Sequence, residues 1–109
     1  MRVMNKPWKR RLWLDTGISS RVLDEIQKLA QKHEIGKVIL FGSRARGDFH
    51  RTSDIDLAVS GGYIPAFALD VDEQTWTLLS FDVVNLDRPL PKELVSNIKK
   101  DGVVLYEKV

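Results

Sequence analysis

Asp54 and Asp56 stand one residue apart at the start of an apolar run. A Gly-Ser pair, Gly42-Ser43, closes an earlier apolar run, with ten residues (44 to 53) between the two features. If the second run is a strand, side chains alternate faces, so Asp54 and Asp56 share one side while Ile55 and Leu57 take the other. Two carboxylates roughly 7 Å apart at Cα can converge on hard cations between them. Mg²⁺ suits such a place, because it accepts a few carboxylates, keeps some waters and takes substrate phosphates as further ligands. Two metals about 4 Å apart can hold both the attacking and the leaving oxygen of an in-line displacement. Asp82 is the candidate third acid. It sits between Phe81 and Val83, where an ionised carboxylate is costly unless paired or bound to a cation. Asp87, beside Arg88 and Pro89, reads more simply as a turn residue.

The Gly-Ser pair supplies the complementary half. Gly42 lets the backbone turn sharply and approach a phosphate closely. Ser43 can open a short helix whose free N–H groups and hydroxyl face an anion. Arg44 and Arg46 add charge that can grip phosphate. The segment is not a P-loop, since no G-x-x-x-x-G-K-[ST] occurs. Each feature has a plain structural explanation: a D-x-D at a strand start, a Gly-Ser turn, arginines on a solvated face with Asp48, a strand-edge acid. Their joint occurrence is what points to phosphate chemistry.

The elements that must position these residues are legible in outline. Ile18, Val22, Ile26, Leu29 and Ala30 recur at helical spacing and predict an amphipathic helix over 18–34. Ser19 is its expected N-cap, with Ile18 and Leu23 as a hydrophobic staple and Gly36 as the stop. Strands are expected over 37–41, 55–59, 81–86 and 103–106. A short helical turn over 43–48 leads into a polar loop to Ser53, and Gly61-Gly62 ends the second strand. Residues 64 to 79 are ambiguous, with helix favoured for part of them. Pro91 suits the first turn of a helix running to about Lys100, where Lys99 and Lys100 complement its negative end and Gly102 ends it. The pattern is α/β (α+β): a single mixed sheet with helices packed on it.

Composition narrows the class. The chain has 109 residues, 43% of them hydrophobic, as expected of one domain with a modest core. With no cysteines and two histidines, thiolate metal sites are excluded and a His-rich zinc site is disfavoured. No apolar run approaches the ~20 residues of a membrane span, nor does the N-terminus read as a secretory signal. The expected compartment is the cytoplasm. Residues 1–15 form a basic N-terminal arm before a domain over 16–109. Its first 11 residues hold five cations and no acid, with Trp8 and Trp13 in or beside them. Such a segment could stack on bases or contact phosphates; packing on the domain or a partner is the simpler reading. The net charge of +2 does not by itself indicate nucleic acid.

Gly42-Ser43, Asp54-Ile55-Asp56 and Phe81-Asp82-Val83 together resemble the nucleotidyltransferase superfamily of the DNA polymerase β type, and within it the minimal nucleotidyltransferases, the MNT family. The R-A-R-G-D after Gly42-Ser43, the S-D-I-D-L core and the closing FDVVNLDRPLPKELVSNIKKDGVVLYE carry the resemblance over roughly residues 18 to 107. Residues 63 to 80 and the arm lie outside its diagnostic motifs. The resemblance implies Mg²⁺-dependent transfer of a nucleoside monophosphate, with ATP as the expected NTP and one or two Mg²⁺ ions, to an acceptor hydroxyl with release of pyrophosphate. Gly42 and Ser43 would hold the β/γ phosphates, with Arg44 and Arg46 adding charge. Asp54 and Asp56 would bind metal, and Asp82 would bind the metal nearest the acceptor and help deprotonate it. The resemblance further implies a small all-helical partner, either a HEPN-type toxin or a substrate-binding subunit, with this chain as antitoxin.

Three other readings compete. The chain could bind nucleotide, or mask a helical partner, without turnover. A glycosyltransferase-type D-x-D is disfavoured by chain length and by the Gly-Ser pair. A calcium loop is disfavoured because Ala58 and Ser60 occupy the following ligand positions.

Overall fold

The structure is a computed structural model that describes residues 16–108; the expected basic arm, with Trp8 and Trp13, lies outside the described residues. In chain order the elements are α1 (Ser20–Lys32), β1 (Lys37–Phe41), α2 (Ser43–Arg46), β2 (Ile55–Ser60), α3 (Ile64–Gln74), β3 (Phe81–Asn85), α4 (Lys92–Asp101) and β4 (Val103–Glu107).

The amphipathic pattern produces α1 as expected. Ser19 caps it, its hydroxyl accepting the Val22 N–H at 3.2 Å, and the staple residues Ile18 and Leu23 are buried. Its end differs from expectation. The left-handed residue is Glu34 (φ 57°), not Gly36. Glu34 N–H donates to Gln31 O and Ile35 N–H to Ala30 O, a Schellman closure that seats Ile35 in the core. Gly36 instead permits close passage against β2: its N–H donates to Ser60 O at 2.9 Å, and a Cβ there would stand 3.1 Å from that oxygen.

The sheet runs β3-β2-β1-β4. β1 pairs antiparallel with both β2 and β4, whereas β2 pairs parallel with β3. A parallel pair needs a crossover, and α3 supplies it. Period-two burial divides the sheet faces. Val38, Leu40, Ile55, Leu57 and Val59 join α1 and α3 in the main core. Phe41 and Ala58 face the other way and pack with Ile98 of α4, flanked by Ile39, Val84 and Leu94. Among the described residues no helix is long and apolar enough to cross a membrane.

Candidate active site

The sheet register assembles the acids. Asp56 lies opposite Asp82 across the parallel β2/β3 pair and opposite Phe41 across β1/β2. Facing residues share a side of the sheet, so Phe41, Asp56 and Asp82 form one cross-strand row. Asp54 lies immediately before β2, two residues from Asp56 and thus toward the same side. The row lies on the sheet face that α4 packs against, with Phe41 buried beside Ile98, Asp54 and Asp82 exposed and Asp56 half-buried. Just ahead of this end, Ser80 O accepts the Ile55 N–H at 2.9 Å, which ties the start of β3 between the two acids of the D-x-D.

Gly42 completes the row's fourth corner. Its backbone (φ 77°, ψ −158°) is in a region that only glycine occupies readily. A Cβ here would overlap Asp56 Oδ2, so the Asp56 carboxylate rests directly on the Gly42 backbone. The Gly-Ser turn and the D-x-D are therefore in contact through the missing side chain. One turn of helix follows. The N–H groups of Ala45 and Arg46 both donate to Gly42 O at 3.1 Å, while the first N–H groups of a helix have no acceptor within it. Gly47, left-handed at φ 90°, closes the turn.

Burial, then the nearby carboxylates of Asp82 and Asp54, push the Asp56 pKa above its ordinary value, and the Arg46 charge opposes them. Crowded oxyanions at an otherwise apolar sheet end suit a hard divalent cation. Among the described residues, no three His, Cys, Asp or Glu side chains stand close enough to hold a metal unaided. The donor set fits Mg²⁺, which needs few protein carboxylates and draws its other ligands from water and substrate phosphate.

Arg44 corrects the sequence reading. It was expected to face phosphate, yet it is 1% exposed. Its guanidinium turns inward and donates to four backbone carbonyls: Nε to Ser53 (3.0 Å), Nη1 to Thr16 (2.8 Å), and Nη2 to Arg51 (3.1 Å) and His50 (3.4 Å). The ring of Phe49 lies 4.9 Å from Arg44 Cζ. Arg44 thus fastens the helical turn after Ser43 to the loop that delivers Asp54. Gly17 belongs to the same knot, because a Cβ there would stand 2.6 Å from Phe49 and 2.9 Å from Arg44. Sequence reasoning missed Gly17, Phe49 and the Thr16 carbonyl as supports; the Thr16 contact spans 28 residues, and no local pattern marks it. Arg46 is exposed and donates to Asp48 Oδ2 at 3.2 Å, and its field reaches Asp56. Asp87 is a turn residue as expected, its Oδ2 accepting the Gly61 N–H at 2.8 Å.

Residues 24–109 match the family described as polymerase beta nucleotidyltransferase. A candidate protein adenylyltransferase of Methanocaldococcus jannaschii is 35% identical over 88 residues, covering 72% of this chain and 86% of the relative. A toxin–antitoxin crystal structure with AMP-PNP contains a chain similar to this one: TM-score 0.65, 24% identity, 79% of this chain and 73% of that one. A candidate nucleotidyltransferase from Sulfolobus solfataricus covers more of the chain, 96% of this one and 91% of its own, at TM-score 0.53 and 21% identity. At these identities the solved structures speak for the fold. The family match takes in both β2 and β3 with their acids, and together with the 35% identical relative it shows that this chain belongs to the polymerase β nucleotidyltransferase family, as one of its minimal members, and is a nucleotidyltransferase.

Proposed function

We propose that the chain transfers AMP from ATP to an acceptor hydroxyl on a partner protein, in a Mg²⁺-dependent reaction, as the antitoxin of a two-component system whose other member is a small helical, HEPN-type protein. The observation that carries the site is the seating of the Asp56 carboxylate on Gly42, in one row with Asp82. It brings an acid cluster and the Gly42-Ser43 backbone turn to a single sheet end. The choice of AMP and of a protein acceptor rests on the relative named as a protein adenylyltransferase. The two-component setting rests on neighbours that are toxin–antitoxin structures, one of them with AMP-PNP.

In this reading the acceptor oxygen attacks the α-phosphorus of ATP. An O–P bond forms, the bond to the β-phosphate bridging oxygen breaks, and pyrophosphate leaves. Gly42 and the Ser43 N–H and hydroxyl hold the β/γ phosphates, which keeps the leaving group in line. Asp54 and Asp56 would hold Mg²⁺, with Asp82 joining them on the acceptor side. When bound, Mg²⁺ supplies neutralisation of phosphate charge that the protein's own cations do not match. Asp82, exposed on the neighbouring strand, takes the acceptor proton. Arg46 adds positive charge at the mouth. Arg44 supports the loop and does not contact substrate.

The test is incubation with α-labelled ATP, Mg²⁺ and the co-purifying helical partner, beside the Asp54→Asn/Asp56→Asn variant. Label on the partner that is absent with the variant supports the reading. No label, with the variant still silencing the partner, overturns it in favour of a masking subunit.

A further inference from the structure

The outward faces of the three longer helices differ. α1 presents Arg21, Lys28, Gln31 and Lys32 to solvent, and α4 presents Lys92, Glu93, Asn97 and Lys100. α3 carries apolar residues on both sides. Ile64, Phe67 and Val71 are buried in the main core, while Ala66 and Leu69 on the opposite side are exposed. Apolar residues left in the open on a helix's outer side, next to other exposed apolar groups, mark an interaction surface. All four large hydrophobic residues that are strongly exposed among those described fall on α3 or its flanks: Tyr63, Leu69 (58%), Trp76 (72%) and Leu78, which is fully exposed.

Trp76 is held ready in this position. Its backbone N–H donates to Glu25 Oε1 at 2.8 Å, and the Arg21 guanidinium carbon stands 4.4 Å from its ring. A cleft of about 460 Å³ opens among Thr75, Trp76, Thr77 and Leu78. An exposed tryptophan and leucine around an open, partly polar cleft are residue types suited to anchoring a partner. The charge is one-sided. Residues 63 to 80 contain Asp70, Asp72 and Glu73 and no lysine or arginine. Asp70 is engaged by His33 and Lys32, whereas Asp72 and Glu73 are exposed on the Leu69 side of the helix. With Arg21 already occupied on the Trp76 ring, the exposed carboxylates of Asp72 and Glu73 favour a cationic polypeptide at the Leu69 side. The loop after Trp76 leads back to the sheet end that carries the acids, ending at Ser80, whose carbonyl accepts the Ile55 N–H between Asp54 and Asp56, while α3 itself covers the opposite face of the sheet.

We infer that the outer face of α3 with the Trp76–Leu78 loop is the docking surface for the acceptor-bearing protein, and that it takes a basic amphipathic helix. Apolar side chains of that helix meet Leu69 and fill the Trp76–Leu78 cleft, and its cations face Asp72 and Glu73. This inference rests on the protein-acceptor reading above, and it specifies where the acceptor-bearing protein is gripped, on the sheet face opposite the acids.

The probe is a labelled 18-residue helix with leucines on one face, lysines on the other and a single tyrosine, set against a scrambled peptide of equal composition. Fluorescence anisotropy with the full chain is expected to show saturable binding of the amphipathic peptide only. Leu69→Ser/Leu78→Ser and Asp72→Lys/Glu73→Lys should each weaken it at least 10-fold, while Asp54→Asn/Asp56→Asn leaves it unchanged. The substituted side chains are exposed, so the variants should keep the wild-type circular dichroism. Equal binding of both peptides, or indifference to the face variants, overturns the proposal. So does sedimentation showing that the chain alone forms a dimer dissolved by Leu69→Ser/Leu78→Ser, which would assign the face to a second copy. Transfer from α-labelled ATP to the peptide tyrosine separates the two levels. Binding without label supports the docking face and counts against the transfer reading; label indifferent to the face variants does the reverse.

Discussion

Replacing Arg44 by methionine keeps the aliphatic stem and removes the guanidinium that joins the Gly42-Ser43 turn to the Asp54 loop. Four carbonyls lose a donor. Those of His50 and Arg51 belong to exposed residues and regain water. Those of Thr16, a buried residue, and Ser53, a half-buried one, lose a donor that water cannot readily replace. At about 1–3 kcal/mol per stripped buried acceptor, the two together cost about 2–6 kcal/mol. A small domain has about 5–15 kcal/mol in total, so Arg44→Met should fold in the cold and melt early. Each kcal/mol lowers Tm by about 4–8 °C in a domain of this size, so a loss near 4 kcal/mol corresponds to a fall of about 15–30 °C. Arg44→Lys, with one ammonium in place of the fork, should lie between. Thermal circular dichroism measures the fall. ATP affinity below the transition should stay within about threefold of wild type, since the guanidinium does not reach the phosphate cradle. A fall of under about 4 °C together with a tenfold weaker ATP affinity would refute the reasoning and return Arg44 to the phosphates.

Gly42→Ala should lose about 1–3 kcal/mol to backbone strain and, by displacing the Asp56 carboxylate, about 10²-fold in kcat; steady-state transfer assays check the second, melts the first. MgATP at 100 times its Kd should stabilise the wild type by about 2.7 kcal/mol, and Asp54→Asn/Asp56→Asn should abolish the Mg²⁺-dependent part of that shift in a thermal-shift titration. Asp56→Asn should raise Tm at neutral pH. Burial and its acidic neighbours hold the folded pKa above the ordinary 3.8, so ionised Asp56 opposes folding; the advantage of the variant should vanish in acid, where the carboxyl is protonated in both folded and unfolded chains. Asp70 behaves in the opposite sense. Its hydrogen bond from His33, with help from Lys32, lowers its folded pKa below 3.8, a contribution present above that value and lost as pH falls through the folded pKa. Asp70→Asn should therefore flatten the acid limb of the stability profile, read as Tm against pH.

The periodicities of the chain carried much of this into view. Alternation in a strand is a property of the covalent backbone, so Asp54 and Asp56 share a side wherever the strand lies. Helical recurrence and Ser19 likewise placed α1 to within two residues of its observed span. The ambiguity over 64 to 79 had a cause that the structure exposes: α3 carries apolar residues, Ala66 and Leu69, on its outer face as well as its inner one, which blurs the helical period. Glu34, in place of the expected glycine, takes the left-handed position because the closure around Ile35 fixes the turn from its core side.

What the sequence by itself determined is the set of local facts: which acids share a strand face, where Gly42-Ser43 must turn, and which segments are helix or strand. What only the tertiary structure decided is everything that depends on meeting at a distance. The parallel register that sets Asp82 beside Asp56 follows from how α3 returns the chain to the sheet. The inward turn of Arg44 follows from carbonyls at 16, 50, 51 and 53 gathering around it. A guanidinium goes where its five donors find acceptors, and those acceptors come together only when segments far apart in the chain pack against each other.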